Sequence, residues 1–236
     1  MGRLRLRDRE DAGRQLASEL RGYAKDSPIV IALPRGGVPV GFEIARALGA
    51  PLDVWVVRKI GVPWHPELGV GAIAEGGQLF ISRELINQIG LSGLELAQLT
   101  ETKRREVEQR VRLFRGDRPR PPLRGRTVVL VDDGIATGGT VHAAIAAIRA
   151  EEPKALVLAV PVAAPDSLSE LGPLVDRVVC LLTPRDLHAI GLWYDDFTQV
   201  PDEEVLRLLE RARRGVAQVR PVPSASLNPG AGHASR

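Results

Sequence analysis

The segment DDGIATGGT, residues 132–140, sets two carboxylates among glycines and threonines. Neighbouring acids of this kind suit partners that need oxygen acceptors, such as sugar hydroxyls or a hydrated divalent cation. Gly134, Gly138 and Gly139 let the backbone turn tightly, while Thr137 and Thr140 offer hydroxyls where a helical pattern begins. Free amides at a helix start attract an anion, most often a phosphate. Carboxylates cannot themselves touch that phosphate, so a single ligand must carry both kinds of group, and a phosphorylated sugar does. A strand-to-helix turn with Asp133 as a cap would explain a lone glycine-rich turn, but the double acid followed by TGGT is more specific than that.

The segment LPRGG repeats the design. Pro34, Arg35, Gly36 and Gly37 follow an apolar run, and the guanidinium of Arg35 joins the loop amides as a second place for an anion. Taken alone, Gly36 and Gly37 could merely turn the chain and Arg35 could be solvated. Two such cradles on the carboxyl edge of one sheet, where open α/β folds bind ligands, suggest a ligand phosphorylated at both ends.

The elements that must position these loops can be read from the apolar pattern. Residues 127–131 and 29–33 are short, β-branched and uninterrupted, as strands covered on both faces are. Helical patterns follow at 141–149 and 38–48. Further strands are expected at 51–58, 155–161 and 177–182, and helices at 8–24, 92–114, 165–171 and 202–214. Strand, helix, strand with short connections predicts an α/β fold with a doubly wound, mostly parallel sheet and helices on both faces. Ser92 with Glu95 three residues on reads as a capping box, and Glu101 with Arg105, Glu106 with Arg110 and Glu108 with Arg112 as ion pairs on a solvated helix face. Residues 71–75 and 78–82 read as a hairpin joined across Gly76 and Gly77.

VVLVDDGIATGGT resembles the phosphoribosyl pyrophosphate signature of the type I phosphoribosyltransferases, and LPRGG resembles their pyrophosphate loop. Together with KIGVPWHPELGVGAIAEGG, these segments look like a bacterial subfamily of predicted phosphoribosyltransferases. Gly134 departs from the signature, which is usually apolar there. The resemblance implies transfer of phosphoribosyl from phosphoribosyl pyrophosphate to a nitrogenous base, with release of pyrophosphate. It implies that Ala136, Thr137, Gly138, Gly139 and Thr140 surround the 5-phosphate, that Asp132 and Asp133 meet the ribose hydroxyls or their hydrated magnesium, and that Arg35, Gly36 and Gly37 hold the pyrophosphate. Lys59, on a flexible loop over residues 59–82 that covers the site, is expected to help neutralise the leaving group. A hood near residues 183–200 would carry Trp193 and Tyr194, beside Asp195 and Asp196, as a platform for a small heterocyclic acceptor. Aromatics that only pin a loop to the body would look the same. The 6-oxopurine members carry an acid and commonly a lysine where this chain has Ala136 and Gly139, so hypoxanthine and guanine are expected to be poor acceptors. A homodimer is what the resemblance suggests. The alternative is a sensor of phosphoribosyl pyrophosphate built on the same fold.

Composition agrees. A chain of 236 residues, 44% hydrophobic, suits one α/β domain, expected over 1–215, with a proline- and serine-rich tail at 216–236 expected to be disordered. A net charge of +3 comes from arginines scattered among acids, without the contiguous basic patch of a nucleic-acid binder. The single cysteine, Cys180, in an apolar run, reads as a buried small residue in a reducing, cytoplasmic compartment. No apolar run is long enough to span a bilayer. His65, with no second histidine at ligand spacing, reads as a solvated loop residue.

Overall fold

The computed structural model describes residues 5–62 and 64–219. In chain order the elements are α1 (Arg9–Leu20), β1 (Ile29–Ala32), α2 (Gly37–Leu48), β2 (Leu52–Val54), β3 (Val57–Val62), β4 (His65–Ala74), β5 (Leu79–Ile81), α3 (Arg83–Ile89), α4 (Gly93–Arg115), β6 (Thr127–Val131), α5 (Gly139–Ala150), β7 (Ala155–Val162), α6 (Pro165–Leu171), β8 (Arg177–Leu182) and α7 (Asp202–Val219). Among the described residues no helix is long and apolar enough to cross a membrane.

Five strands form a parallel sheet in the order β2-β1-β6-β7-β8. Every residue of β1 and β6 is buried, because helices cover both faces and a strand so placed must be apolar throughout. Alternation divides their side chains between two apolar layers. Val30, Ala32, Val129 and Val131 meet residues of α1, α2 and α7, including Leu16, Ile44 and Leu209. Ile29, Ile31, Val128 and Leu130 meet α5 through Ile145 and Ile148.

The strand expected over 51–58 is two strands. The amide of Trp55 still bonds to the carbonyl of Ala32 on β1 at 3.0 Å, but the carbonyl of Val56 accepts from the amide of Glu75 at 2.9 Å. The backbone therefore changes partner at residues 55–56 and leaves the parallel sheet for an antiparallel one of order β3-β4-β5. The expected hairpin is its distal part, turned by Gly76 and Gly77, both at φ +82, where only glycine sits without strain. The helix α3 has no counterpart among the elements expected from the apolar pattern. The capping box of Ser92 and Glu95 opens α4 as read from the sequence. Of the three expected ion pairs, Glu101 with Arg105 forms at 3.0 Å and Glu108 with Arg112 at 3.7 Å. Arg110 instead turns from Glu106 to Asp202 on α7, at 2.6 Å. The last helix runs on to Val219, past the point where a tail was expected, and residues 220–236 lie outside the described residues, as does the side chain of His65.

A buried ionic brace joins α4 to both sheets. Arg115, 4% exposed, donates to Glu75 at 3.0 and 3.1 Å, to Asp53 at 3.2 Å and to the carbonyl of Val54 at 2.7 Å. Burial works against the guanidinium charge, but the hydrogen bonds and charges of Glu75 and Asp53 outweigh it and raise the Arg115 pKa. Removing one member of such a cluster strands buried charge, so Arg115→Ala should lose about 3–5 kcal/mol of stability in chemical denaturation. A loss below about 1 kcal/mol, the range of exposed pairs, would show that the cluster is solvated instead.

Candidate functional site

The strands β1 and β6 are in-register neighbours, with Ala32 opposite Val131, so the loops that leave them emerge side by side at one sheet edge. The amide of Leu33 still bonds to the carbonyl of Val131 at 2.9 Å. Beyond it, the Pro34–Arg35 peptide is cis and the chain passes directly over the end of β6. A Cβ at Gly36 would overlap the Asp133 carboxylate, and one at Gly37 would stand 2.7 Å from the Val131 carbonyl oxygen. Neither glycine has a positive φ, so what demands glycine is close approach: of the Asp133 carboxylate at Gly36 and of the β6 backbone at Gly37. The structure thus brings Gly36 and Gly37, on the loop that carries Arg35, against Asp133 and Asp132, while the Arg35 guanidinium lies 3.8 Å from Asp202 at the start of α7.

The two acids sit in different surroundings. Burial, then the charge of Asp133, pushes the Asp132 carboxyl well up, and its Oδ1 accepts from the Asp133 amide at 2.9 Å. Asp133 has a cationic partner that the sequence reading missed. Arg9, at the start of α1, donates from Nε to Asp133 Oδ2 at 2.8 Å, with side chains 10% and 14% exposed. Its Nη1 donates to the carbonyl of Thr198 at 2.8 Å, and its guanidinium lies 3.8 Å from the centre of the Phe197 ring. Nothing in the charged opening RLRDRED distinguishes Arg9 from its neighbours, since its partners are more than a hundred residues away.

The hood residues fall into place differently from the expectation. Trp193 and Tyr194 are 9% and 2% exposed and pack with Leu6, Ala12 and Val162. The Tyr194 hydroxyl donates to the Asp133 carbonyl at 2.7 Å, and burial, followed by the charge of Asp133, raises its pKa, so it stays a donor. Their ring faces are taken up by core packing, which corrects the reading of both as a stacking platform: they pin residues 183–200 to the body. Ile190 from the same segment fills the space above Gly134, where a Cβ would collide with it. The missing apolar side chain of the signature is therefore supplied from the hood.

Ala136, Thr137, Gly139 and Thr140 are exposed at the rim, and Gly138, at φ +72, makes the turn into α5. Ser167 holds this turn by donating to the carbonyl of Ala136 at 2.6 Å. Lys59 and Arg58 alternate across β3. Lys59 faces α5, where it lines a cleft of about 530 Å³ with Gly139 and His142, its stem lying over Gly69. Arg58 faces α4 and stands 3.8 Å from Glu106. Among the described residues, no group of three or more His, Cys, Asp or Glu is placed to hold a metal ion. Burial pushes the Cys180 thiol up to about 11, which suits a packing residue and not a nucleophile.

Residues 4–186 match the model of the phosphoribosyl transferase domain. Two curated Mycobacterium tuberculosis proteins, from strains CDC 1551 / Oshkosh and ATCC 25618 / H37Rv and each named "Putative phosphoribosyl transferase", are 44% identical over 222 residues. The match covers 94% of this chain and 50% of theirs, so the chain spans about half the length of these relatives. The crystal structure of TT1426 from Thermus thermophilus is 40% identical, with a TM-score of 0.77, covering 88% of this chain and 98% of that one.

The loop contact makes a paired expectation. Gly36→Ala, which overpacks the Asp133 carboxylate, should cost about 1–3 kcal/mol in denaturant unfolding. Gly139→Ala, with no atom within 4 Å of the added Cβ and a helical position, should be neutral or stabilising. Equal effects of the two would mean that the loops do not touch as described.

Proposed function

Because the chain belongs to the phosphoribosyl transferase domain family, we propose that it binds 5-phosphoribosyl pyrophosphate and transfers the phosphoribosyl group to a small nitrogen heterocycle, releasing pyrophosphate. The observation that carries this reading is the meeting of the Arg35–Gly37 loop with Asp132 and Asp133 at one sheet edge, a pairing of anion donors and hydroxyl acceptors suited to one two-ended ligand. The exposed rim from Ala136 to Thr140, at the start of α5, would take the 5-phosphate on amides and hydroxyls. Asp133, fixed by Arg9 through Oδ2, keeps Oδ1 for a ribose hydroxyl. Arg35 and the amides of Gly36 and Gly37 would hold the pyrophosphate.

A ring nitrogen of the acceptor attacks the anomeric carbon as the carbon–oxygen bond to pyrophosphate breaks, and the nitrogen's proton passes to solvent. Among the residues of this site none is placed as an obvious general base, so these groups act by holding the reacting atoms in line and by neutralising the departing charge. The donor chemistry fits magnesium: Asp132 and Asp133 offer hard oxygens, and would hold the ion through water while the substrate supplies further oxygens. The ion would add positive charge beside the leaving group. Lys59, on the face of β3 toward α5, would act from the side of the 5-phosphate turn.

The test is release of pyrophosphate from phosphoribosyl pyrophosphate and magnesium across a panel of heterocyclic acceptors, with Asp133→Asn alongside. At least one acceptor should support turnover, and hypoxanthine and guanine should be poor substrates; the variant should lower turnover by about 100-fold or more and, having lost the charge that pairs Arg9, should melt below the wild type while staying folded at the assay temperature. A thermal shift on adding the sugar substrate, with no release for any acceptor, would favour a sensor. Full activity of Asp133→Asn would remove Asp133 from the sugar site.

A further inference from the structure

The loop that leaves β6 is held residue by residue just before its exposed rim. Asp133 is gripped by Arg9 at Oδ2 and by the Tyr194 hydroxyl at its carbonyl, at 2.8 and 2.7 Å. Ile135 donates its amide to the carbonyl of Val162 at 2.9 Å and accepts from the amide of Ala164 at 3.0 Å. Between them, Gly134 makes a contact of another kind. It is buried, and the three nearest atoms that a Cβ there would meet, at 2.5, 3.1 and 3.1 Å, all belong to the Ile190 side chain.

Gly134 has no positive φ, so its backbone conformation does not by itself demand glycine. What excludes a side chain is Ile190 alone, at the start of a turn of 3₁₀ helix over Ile190–Trp193. That turn is firmly seated. Ile190 packs with Trp193, Tyr194 and Phe197 in the apolar cluster around Leu6 and Val162. A Cβ at Gly191 would stand 2.9 Å from the Phe197 ring, which carries the Arg9 guanidinium over its face. Mere cover for the loop would be satisfied at ordinary van der Waals distance, with room left for a methyl group. A seated side chain in a glycine-wide space instead fixes where the backbone at 134 can run, because close-packed interiors transmit displacement.

The consequence falls on the residues to either side. Asp133 and the turn from Ala136 to Thr140 must stand at one spacing to meet the ribose hydroxyls and the 5-phosphate of a single molecule, and small displacements at such a site are costly. We propose that Ile190 is a positioning residue for the sugar donor: its side chain, occupying the space beside Gly134, sets the spacing between Asp133 and the 5-phosphate turn. The inference deepens the function given above and rests on its assignment of residues 132–140 to the sugar end of the ligand. The Arg35–Gly37 loop makes its close approaches to Asp133, Asp132 and Val131 and not to Ile190, so inorganic pyrophosphate reads the other end of the site.

Phosphoribosyl pyrophosphate and inorganic pyrophosphate, each with magnesium, are titrated calorimetrically against the wild type and a set of variants, with no acceptor needed. Ile190→Ala, which empties the space, and Gly134→Val, which overfills it, should each weaken phosphoribosyl pyrophosphate by about tenfold and leave inorganic pyrophosphate unchanged. In the double variant one position loses as many carbons as the other gains, and its affinity should return to within about twofold of the wild type. Leu182→Ala, in the same apolar cluster, should lower the melting temperature and leave both affinities unchanged. If melting curves show Gly134→Val to be unfolded, Gly134→Ala should show a smaller loss in the same direction. Wild-type affinity for the sugar in Ile190→Ala, an equal loss of both ligands, a double variant no better than its parents, or a loss in Leu182→Ala matching that in Ile190→Ala would each overturn the proposal. No binding of phosphoribosyl pyrophosphate by the wild type would bring down the sugar site and this inference together. Binding by the wild type that is insensitive to Ile190 would leave the sugar site standing and remove the positioning role alone.

Discussion

No side chain fits between the loop after β1 and the end of β6. That exclusion, at Gly36 against the Asp133 carboxylate and at Gly37 against the Val131 carbonyl, organises the rest of the molecule. It requires neighbouring parallel strands in a fixed register, which in turn requires a crossover of nearly a hundred residues from β1 to β6 and apolar helices on both faces. It also places carboxylates where a strand would ordinarily end in solvent, and an acid so placed needs partners. Those partners come from the two ends of the described chain.

Arg9 and the segment at 183–200 supply them. The guanidinium of Arg9 reaches the Asp133 carboxylate, the Thr198 carbonyl and the Phe197 ring, and the Tyr194 hydroxyl reaches the Asp133 carbonyl. The first helix and the hood are therefore fastened to the site through Asp133 itself. A second set of charges does the same on the far side, where Asp202 bridges Arg35 and Arg110 and ties α7 to α4. Further out, the Arg115 cluster locks α4 to the point where the chain passes from one sheet to the other. The architecture is a rigid sheet edge with polar ties converging on it, which suits a site that works by holding reactants in place.

Much of this was legible in the residues. The strands β6 and β8 and the helix α6 end where their apolar patterns end, because turn residues bound each run, and the capping box of Ser92 and Glu95 marks α4 by a local hydrogen bond. The acids and the glycine loops could be joined into one ligand because neighbouring parallel strands deliver their loops to one edge. What could not be read depends on partners distant in sequence. The single strand expected at 51–58 serves two sheets, since the exchange of Ala32 for Glu75 as backbone partner leaves no mark on side-chain pattern. Glu106 and Arg110 have the spacing of a helix pair, but Asp202 offers Arg110 a two-oxygen contact and wins. Trp193 and Tyr194 beside acids look alike whether they face a ligand or the core, and only their burial with Leu6 and Val162 decides it.

The central claim is that the two loops form one site for a ligand phosphorylated at both ends. Phosphorus NMR of phosphoribosyl pyrophosphate, titrated with the protein in the presence of magnesium, tests it most directly because the 5-phosphate and the diphosphate give separate signals. Both should broaden or shift together, at the same protein concentration, and both changes should vanish in Gly36→Ala. Perturbation of the diphosphate signals alone, or of the 5-phosphate alone, would contradict a single two-ended site.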